Sequence, residues 1–241
     1  MKKHSPAQKT KENGETAFCV SSLFLSPPWL KTEQVMTTKQ VLFLKNAAVA
    51  LLVFLTVALS AQNSRRDSTA LLLVDIQAFY FPGGFYPLVH PEKASAKASV
   101  LLNYFRKNHA LVVHIKHATK KDSLIHADVA PLPGEKVITK HFANSFRGTG
   151  LLPYLKAHHI KYVVVAGMMT HMCVEATTRA AADLGFQVTL ISDACATRDV
   201  VYRGDTVKAR DVQLSTLGSI DRYYGKVMTV KEFIEGNYLG K

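Results

Sequence analysis

VVVAGMMTHMCVEATTRAAADLGF, residues 163–186, joins an apolar strand to a helix through a short turn. Val163, Val164, Val165 and Ala166 have no polar alternation, which predicts a strand buried on both faces. Cys173, Ala176, Thr177, Ala180 and Ala181 recur at helical spacing. The pattern puts Cys173 where a parallel strand hands over to a helix, and open α/β sheets bind ligands at that end. A thiol at a helix N-terminus meets unpaired N–H groups and the positive end of the helix dipole, both of which favour the thiolate. The same N–H groups can hold an oxyanion formed on a carbonyl that the thiolate attacks. A small apolar residue packed between strand and helix would look the same here, since free cysteines are usually buried and inert.

Two further stretches bear on that choice. ALLLVDIQAFYFPGG ends an apolar strand at Asp75, ahead of a loop rich in aromatics and glycine, and EKVITKHFANSF places Lys140 just after a short strand. A parallel sheet would gather Asp75, Lys140 and Cys173 at one rim. Around them, strand and helix patterns alternate. Strands are expected at 70–74, 110–115, 136–139, 161–166, 187–191 and 226–229, and helices at 93–108, 151–158, 173–184, 206–217 and 230–234. Such alternation predicts an α/β fold, three αβα layers around a Rossmann-like, mostly parallel sheet of about six strands.

With VDIQ-x4-PGG, ITKHFANSF and GMMTHMCVEATTRAAADLGF in this order, and DACATRD following, the chain resembles the isochorismatase-like cysteine hydrolase superfamily, which includes nicotinamidases and N-carbamoylsarcosine amidases. The resemblance spans roughly Ser68 to Glu235. It implies a catalytic triad of Asp75, Lys140 and Cys173. The cysteine would attack a C–N bond of a small amide, ureide or carbamoyl compound and pass through a thioester, with Asp75 moving the proton and Lys140 favouring the thiolate. It also implies a cis peptide at Met168–Met169, with the Met169 and Cys173 N–H groups forming an oxyanion hole. Gln77, Phe79, Phe85, Phe146 and His171 are the candidate substrate contacts. Packing accounts equally well for the aromatic residues and for His171, and Phe146 can also serve to shape the lysine loop.

Departures from the family pattern narrow the expectation. Nicotinamidases carry an Asp-x-His metal segment after the second strand, whereas this region reads HIKHATKKDSLIHADVAP, with His114, His117 and His126 at other spacings. No catalytic metal and no cofactor are therefore expected. Two alternatives stand beside C–N hydrolysis: cleavage of a vinyl ether, as isochorismatases proper perform, and a non-catalytic scaffold of the same fold. The resemblance also implies a homo-oligomer.

Charge and the front of the chain complete the reading. The formal net charge is +12, and half of it falls before Asp67. No basic stripe with interleaved aromatics is present, so no nucleic-acid partner is expected and the partner is a small-molecule substrate. Residues 1–35 are polar and aperiodic, which predicts disorder. From Met36 to Ala61 the chain has Lys39 and Lys45, an apolar run from Ala47 to Leu59 and small residues at the end, the layout of a secretory signal. Met36 would then be the true start, the mature hydrolase domain would cover 62–241, and the protein would be exported with no stable membrane span after cleavage. The alternatives are an uncleaved N-terminal anchor and a buried helix, the latter leaving the protein in the cytoplasm. Of the three cysteines, Cys19 lies in the front segment, and no disulfide is expected between Cys173 and Cys195.

Overall fold

The computed structural model describes residues 37–119 and 124–240. The expectation of disorder for residues 1–35 lies outside them. Six strands form one sheet: β1 (Thr69–Val74), β2 (Leu111–His117), β3 (Lys136–Lys140), β4 (Tyr162–Met168), β5 (Gln187–Ala196) and an edge strand at Lys226–Met228. From edge to edge the order is β3, β2, β1, β4, β5 and the edge strand, with every neighbouring pair parallel.

β1 sits between β2 and β4, with Leu72 opposite both Val113 and Val165. Its side chains alternate between two cores. Leu71 and Leu73 face one, with Ala98, Leu101, Leu102 and Phe105 from the helix Pro91–Lys107; Ala70, Leu72 and Val74 face the other, with Leu151, Leu155, Ala181 and Ile220. This double burial explains the unbroken run of leucines, since a strand covered on both faces has no polar side. The first core is closed by Phe233 of the short helix Val230–Glu235, and the second by the helices Leu151–Ala157, Glu175–Asp183 and Ala209–Tyr223. The result is a three-layer αβα sandwich.

Gly167 lets β4 close onto the end of β1. Its φ is +139°, and a Cβ there would stand 1.9 Å from the Val74 carbonyl oxygen, so a side chain at this position would force the strands apart beside Asp75.

Two local features differ from the sequence expectation. Cys173 does not open the helix. A π-helical turn, Thr170–Val174, precedes the helix at Glu175–Asp183, so the thiol lies inside an irregular turn. The helix expected from Thr206 begins at Ala209, after an antiparallel hairpin, Val200–Tyr202 with Asp205–Val207. Arg203 and Gly204 turn that hairpin with φ of 51° and 95°, the two positive values a tight hairpin turn requires. The Asp199 carboxylate then accepts from the Ala209 N–H at 2.8 Å and starts the helix.

Ahead of the domain, a continuous helix runs Thr38–Asp67. Its Thr38–Thr56 portion has a mean hydropathy of 1.5 and is exposed, which makes it long and apolar enough to cross a membrane. At its end the Arg65 carbonyl accepts from the Ser68 N–H and the Thr69 hydroxyl, and the Arg65 guanidinium lies 4.3 Å from the Tyr162 ring centroid.

Candidate active site

Asp75 follows the last residue of β1 in a left-handed conformation, φ 50°, while its N–H still donates to the Ile115 carbonyl at 2.9 Å. Left-handed geometry is uncommon for residues other than glycine but accessible to Asp. The carboxylate has no solvent exposure. Lys140 is the last residue of β3, also without exposure, and its Nζ lies 2.6 Å from Asp75 Oδ2. Two further acceptors surround the ammonium: His117 Nδ1 at 2.9 Å and the Phe142 carbonyl at 3.1 Å. Cys173 is 5% exposed, and its Sγ lies within 4.8 Å of an Asp75 carboxylate oxygen and of a His117 ring nitrogen. The three strand-end residues are thus brought together.

Burial and neighbouring charge act on Asp75 and Cys173. Burial pushes the Asp75 carboxyl above its ordinary value, against the pull of the Lys140 ammonium. Burial and then the Asp75 charge push the Cys173 thiol up to about 12, and the nearby ammonium does not offset them. The resting group is therefore a thiol. The expectation that a helix N-terminus would favour the thiolate does not hold, because the residue sits in a buried turn beside a carboxylate.

The Met168–Met169 peptide is cis. Gln77 is fully buried with both ends of its amide engaged: Oε1 accepts from the His117 N–H at 2.7 Å and Nε2 donates to the His117 carbonyl at 3.2 Å. Its side chain therefore continues the β1–β2 ladder and fixes the end of β2. Phe79 is buried, with exposed Phe85 stacked on it at 4.9 Å. His171 Nδ1 is hydrogen-bonded to the Thr197 hydroxyl, and burial holds its pKa below the usual value. Phe146 is elsewhere: its ring stacks at 6.0 Å on Phe186, which precedes β5 at the opposite end of the sheet. The loop that carries Phe146 is held instead through Ser145, whose hydroxyl and N–H both contact Thr177 Oγ1.

Two further residues stand beside these groups. His117 stands opposite Lys140 in the β2–β3 register. Tyr80, 4% exposed, has its phenol pushed up by burial and by the charges of Cys173 and Asp75. Strand parity offered one signal: His114 and His117 are three apart, so they point to opposite faces of β2.

Asp75, His117 and Cys173 offer oxygen, nitrogen and sulfur atoms within 4.8 Å of one another, the spacing of a metal-ligand set. The Lys140 ammonium already lies against two of them. A divalent cation would meet that buried charge at close range, so the donor set suits a lysine better than a metal.

Residues 69–219 match the isochorismatase domain model. The chain belongs to the isochorismatase family. It is 38% identical over 179 residues to the isochorismatase family protein YddQ of Bacillus subtilis, covering 70% of this chain and 99% of that one. It is 28% identical to the maleamate amidohydrolase of Pseudomonas putida, covering 69% and 85%. The structure of an isochorismatase hydrolase from Oleispira antarctica superposes with a TM-score of 0.67 at 39% identity, covering 70% of this chain and 97% of that one. The chain is accordingly an isochorismatase-family hydrolase, with the parallel sheet and flanking helices of that fold.

Proposed function

We propose that this hydrolase cleaves a C–N bond of a small amide, ureide or carbamoyl compound through a thioester on Cys173, with Asp75 and Lys140 as its partners. The observation that carries this reading is the fully buried Asp75–Lys140 contact of 2.6 Å with the Cys173 sulfur within 4.8 Å of the carboxylate. A buried carboxylate of raised pKa is suited to accept a proton. Because burial and the Asp75 charge push the thiol up to about 12, its proton passes to Asp75 as sulfur attacks the carbonyl carbon. The oxygen gains the negative charge, and the Met169 and Cys173 N–H groups are the donors assigned to it. Asp75 returns the proton to the leaving nitrogen, the C–N bond breaks, and ammonia or an amine departs. Water then attacks the thioester, giving up its proton to Asp75, and the acid is released with the thiol restored. Lys140 keeps its charge throughout and balances whichever of Asp75 or Cys173 is anionic. The maleamate amidohydrolase among the relatives supports this class of chemistry. We read the apolar segment 36–61 as the signal that exports the enzyme.

The test is ammonia release from a panel of amides and ureides, maleamate included, with intact-mass analysis of the protein and of Cys173→Ala. Turnover that disappears in the variant, with an acyl adduct on Cys173, is expected. Ammonia release that survives Cys173→Ala would overturn Cys173 as the nucleophile.

A further inference from the structure

An ammonium has three N–H groups and no freedom to share them widely. In this site Lys140 forms an ion pair with Asp75 Oδ2 at 2.6 Å and is hydrogen-bonded to His117 Nδ1 at 2.9 Å and the Phe142 carbonyl at 3.1 Å. The Phe142 acceptor is backbone, and Asp75 is held by its ladder hydrogen bond. His117 is mounted as firmly: it lies in register with Lys140 across the ladder, and the Gln77 amide grips both its N–H and its carbonyl. A two-point clamp of this kind from a fully buried side chain serves to fix the strand end that carries the imidazole.

We propose that His117 is a positioning residue for Lys140: as the neutral tautomer protonated at Nε2, it accepts at Nδ1 and fixes the ammonium between Asp75 and Cys173. The inference rests on the functional reading above. The groups facing the ring are Lys140, the Asp75 carboxylate at 3.9 Å and the neighbouring His141. A doubly protonated ring would set an N–H against an N–H beside a full positive charge, so the contact requires the neutral form. Burial first, and then the Lys140 charge, lower the ring's pKa in the same sense. The side chain is 31% exposed while those of Asp75 and Lys140 are not exposed at all, so it can be replaced without opening the core.

Two substitutions separate this role from packing. His117→Asn keeps an acceptor near the δ position, and His117→Leu keeps comparable bulk without one. With maleamate, or whichever panel compound turns over, kcat is expected to fall about 10-fold or more in His117→Leu and to recover to within a few-fold in His117→Asn, with KM little changed in either. Leucine tolerated better than asparagine would mean a packing role, and a change confined to KM would mean substrate contact; either overturns the proposal. The ring's state can be read without a substrate, by 15N NMR of the histidine-labelled full-length protein near neutral pH. A neutral ring with its proton on Nε2 is expected, and its Nδ1 signal should move in Lys140→Met. A proton on Nδ1 would overturn the inference. Loss of the functional reading looks different: turnover would then survive Cys173→Ala whatever His117 does. Turnover that needs Cys173 and Lys140 but is untouched in His117→Leu would remove this inference alone.

Discussion

A carboxylate and an ammonium 2.6 Å apart with no solvent exposure are costly to separate, and most of that cost falls on whichever is left behind. Lys140→Met should destabilise the domain by about 3–5 kcal/mol, because it leaves Asp75 buried without its cation. Adding Asp75→Asn to it should recover part of the loss, which urea unfolding of both variants would show; a double variant no more stable than the single one would contradict this. Asp75→Asn alone separates charge from chemistry. Burial and Asp75 together hold the thiol up at about 12, while Lys140 pulls it down. Removing the carboxylate charge therefore lowers the pH midpoint of Cys173 alkylation by iodoacetamide. If Asp75 is the base proposed above, hydrolysis should fall about 100-fold or more in the same variant. Faster alkylation with slower turnover is the expected pairing, and parallel losses in both would argue against Asp75 as the base. Asp75, Lys140 and Cys173 were legible as candidates because each ends or follows a strand within motifs that resemble the family's; Lys140 by itself reads as surface charge. The place of His117 beside Lys140 was not legible, because the β2–β3 register sets it and local spacing does not encode that register.

Elements built from unbroken apolar runs were legible almost to the residue, as with Thr69–Val74 and Tyr162–Met168, because burial on both faces leaves one reading. Elements whose ends are set by polar contacts were harder. The hairpin before Ala209 depends on the Arg203–Gly204 turn and the Asp199 cap, and the π turn at Cys173 has helical composition without a regular helix. The segment between β2 and β3 is another case. Glu135 accepts from Arg106 through both oxygens and also from the Leu132 N–H, and His114 on β2 completes the set at 2.8 Å. These contacts tie the helix Pro91–Lys107 and the β2 strand to the start of β3. Burial alone would raise the Glu135 carboxyl, but Arg106 foremost, with Leu132 and His114, brings it down to about 2. A carboxyl with a folded pKa below its unfolded value of 4.5 stabilises the fold above pH 4.5 and loses that contribution as pH falls toward 2. His114, whose pKa burial lowers, acts in the same direction below about pH 6.5. Up to about 3 kcal/mol rides on the Glu135 carboxyl. Glu135→Gln should therefore be less stable than the wild type at pH 7 and show a flatter loss of Tm between pH 5 and 3. A variant whose Tm falls as steeply as the wild type would show that the acid sensitivity lies elsewhere.

At the scale of the whole molecule, two kinds of apolar surface meet different fates. The leucines of β1 are covered from both sides, whereas Leu42, Phe43, Leu51, Leu52 and Phe54 on the helix Thr38–Asp67 are exposed. A patch of that size in water invites association or a lipid environment. Its 19-residue portion, Thr38–Thr56, rises about 28 Å as a helix, close to the thickness of a bilayer's hydrocarbon core. Lys39 and Lys45 near its start fit the basic flank of an export signal or of an anchor whose start faces the cytoplasm. Signal and anchor differ in what remains after export. The full-length protein should partition into the detergent phase on Triton X-114 separation, and a chain beginning at Gln62 should stay in the aqueous phase. Both should melt at the same temperature, because the covered core belongs to residues from Thr69 onward. N-terminal sequencing of the protein isolated from its native cells then separates the two fates. A start near Gln62 means a cleaved signal, and retention of the apolar segment means an anchored hydrolase. A truncated chain that melts well below the full-length one would show that the helix contributes to the fold, and the export reading of the segment would then fall.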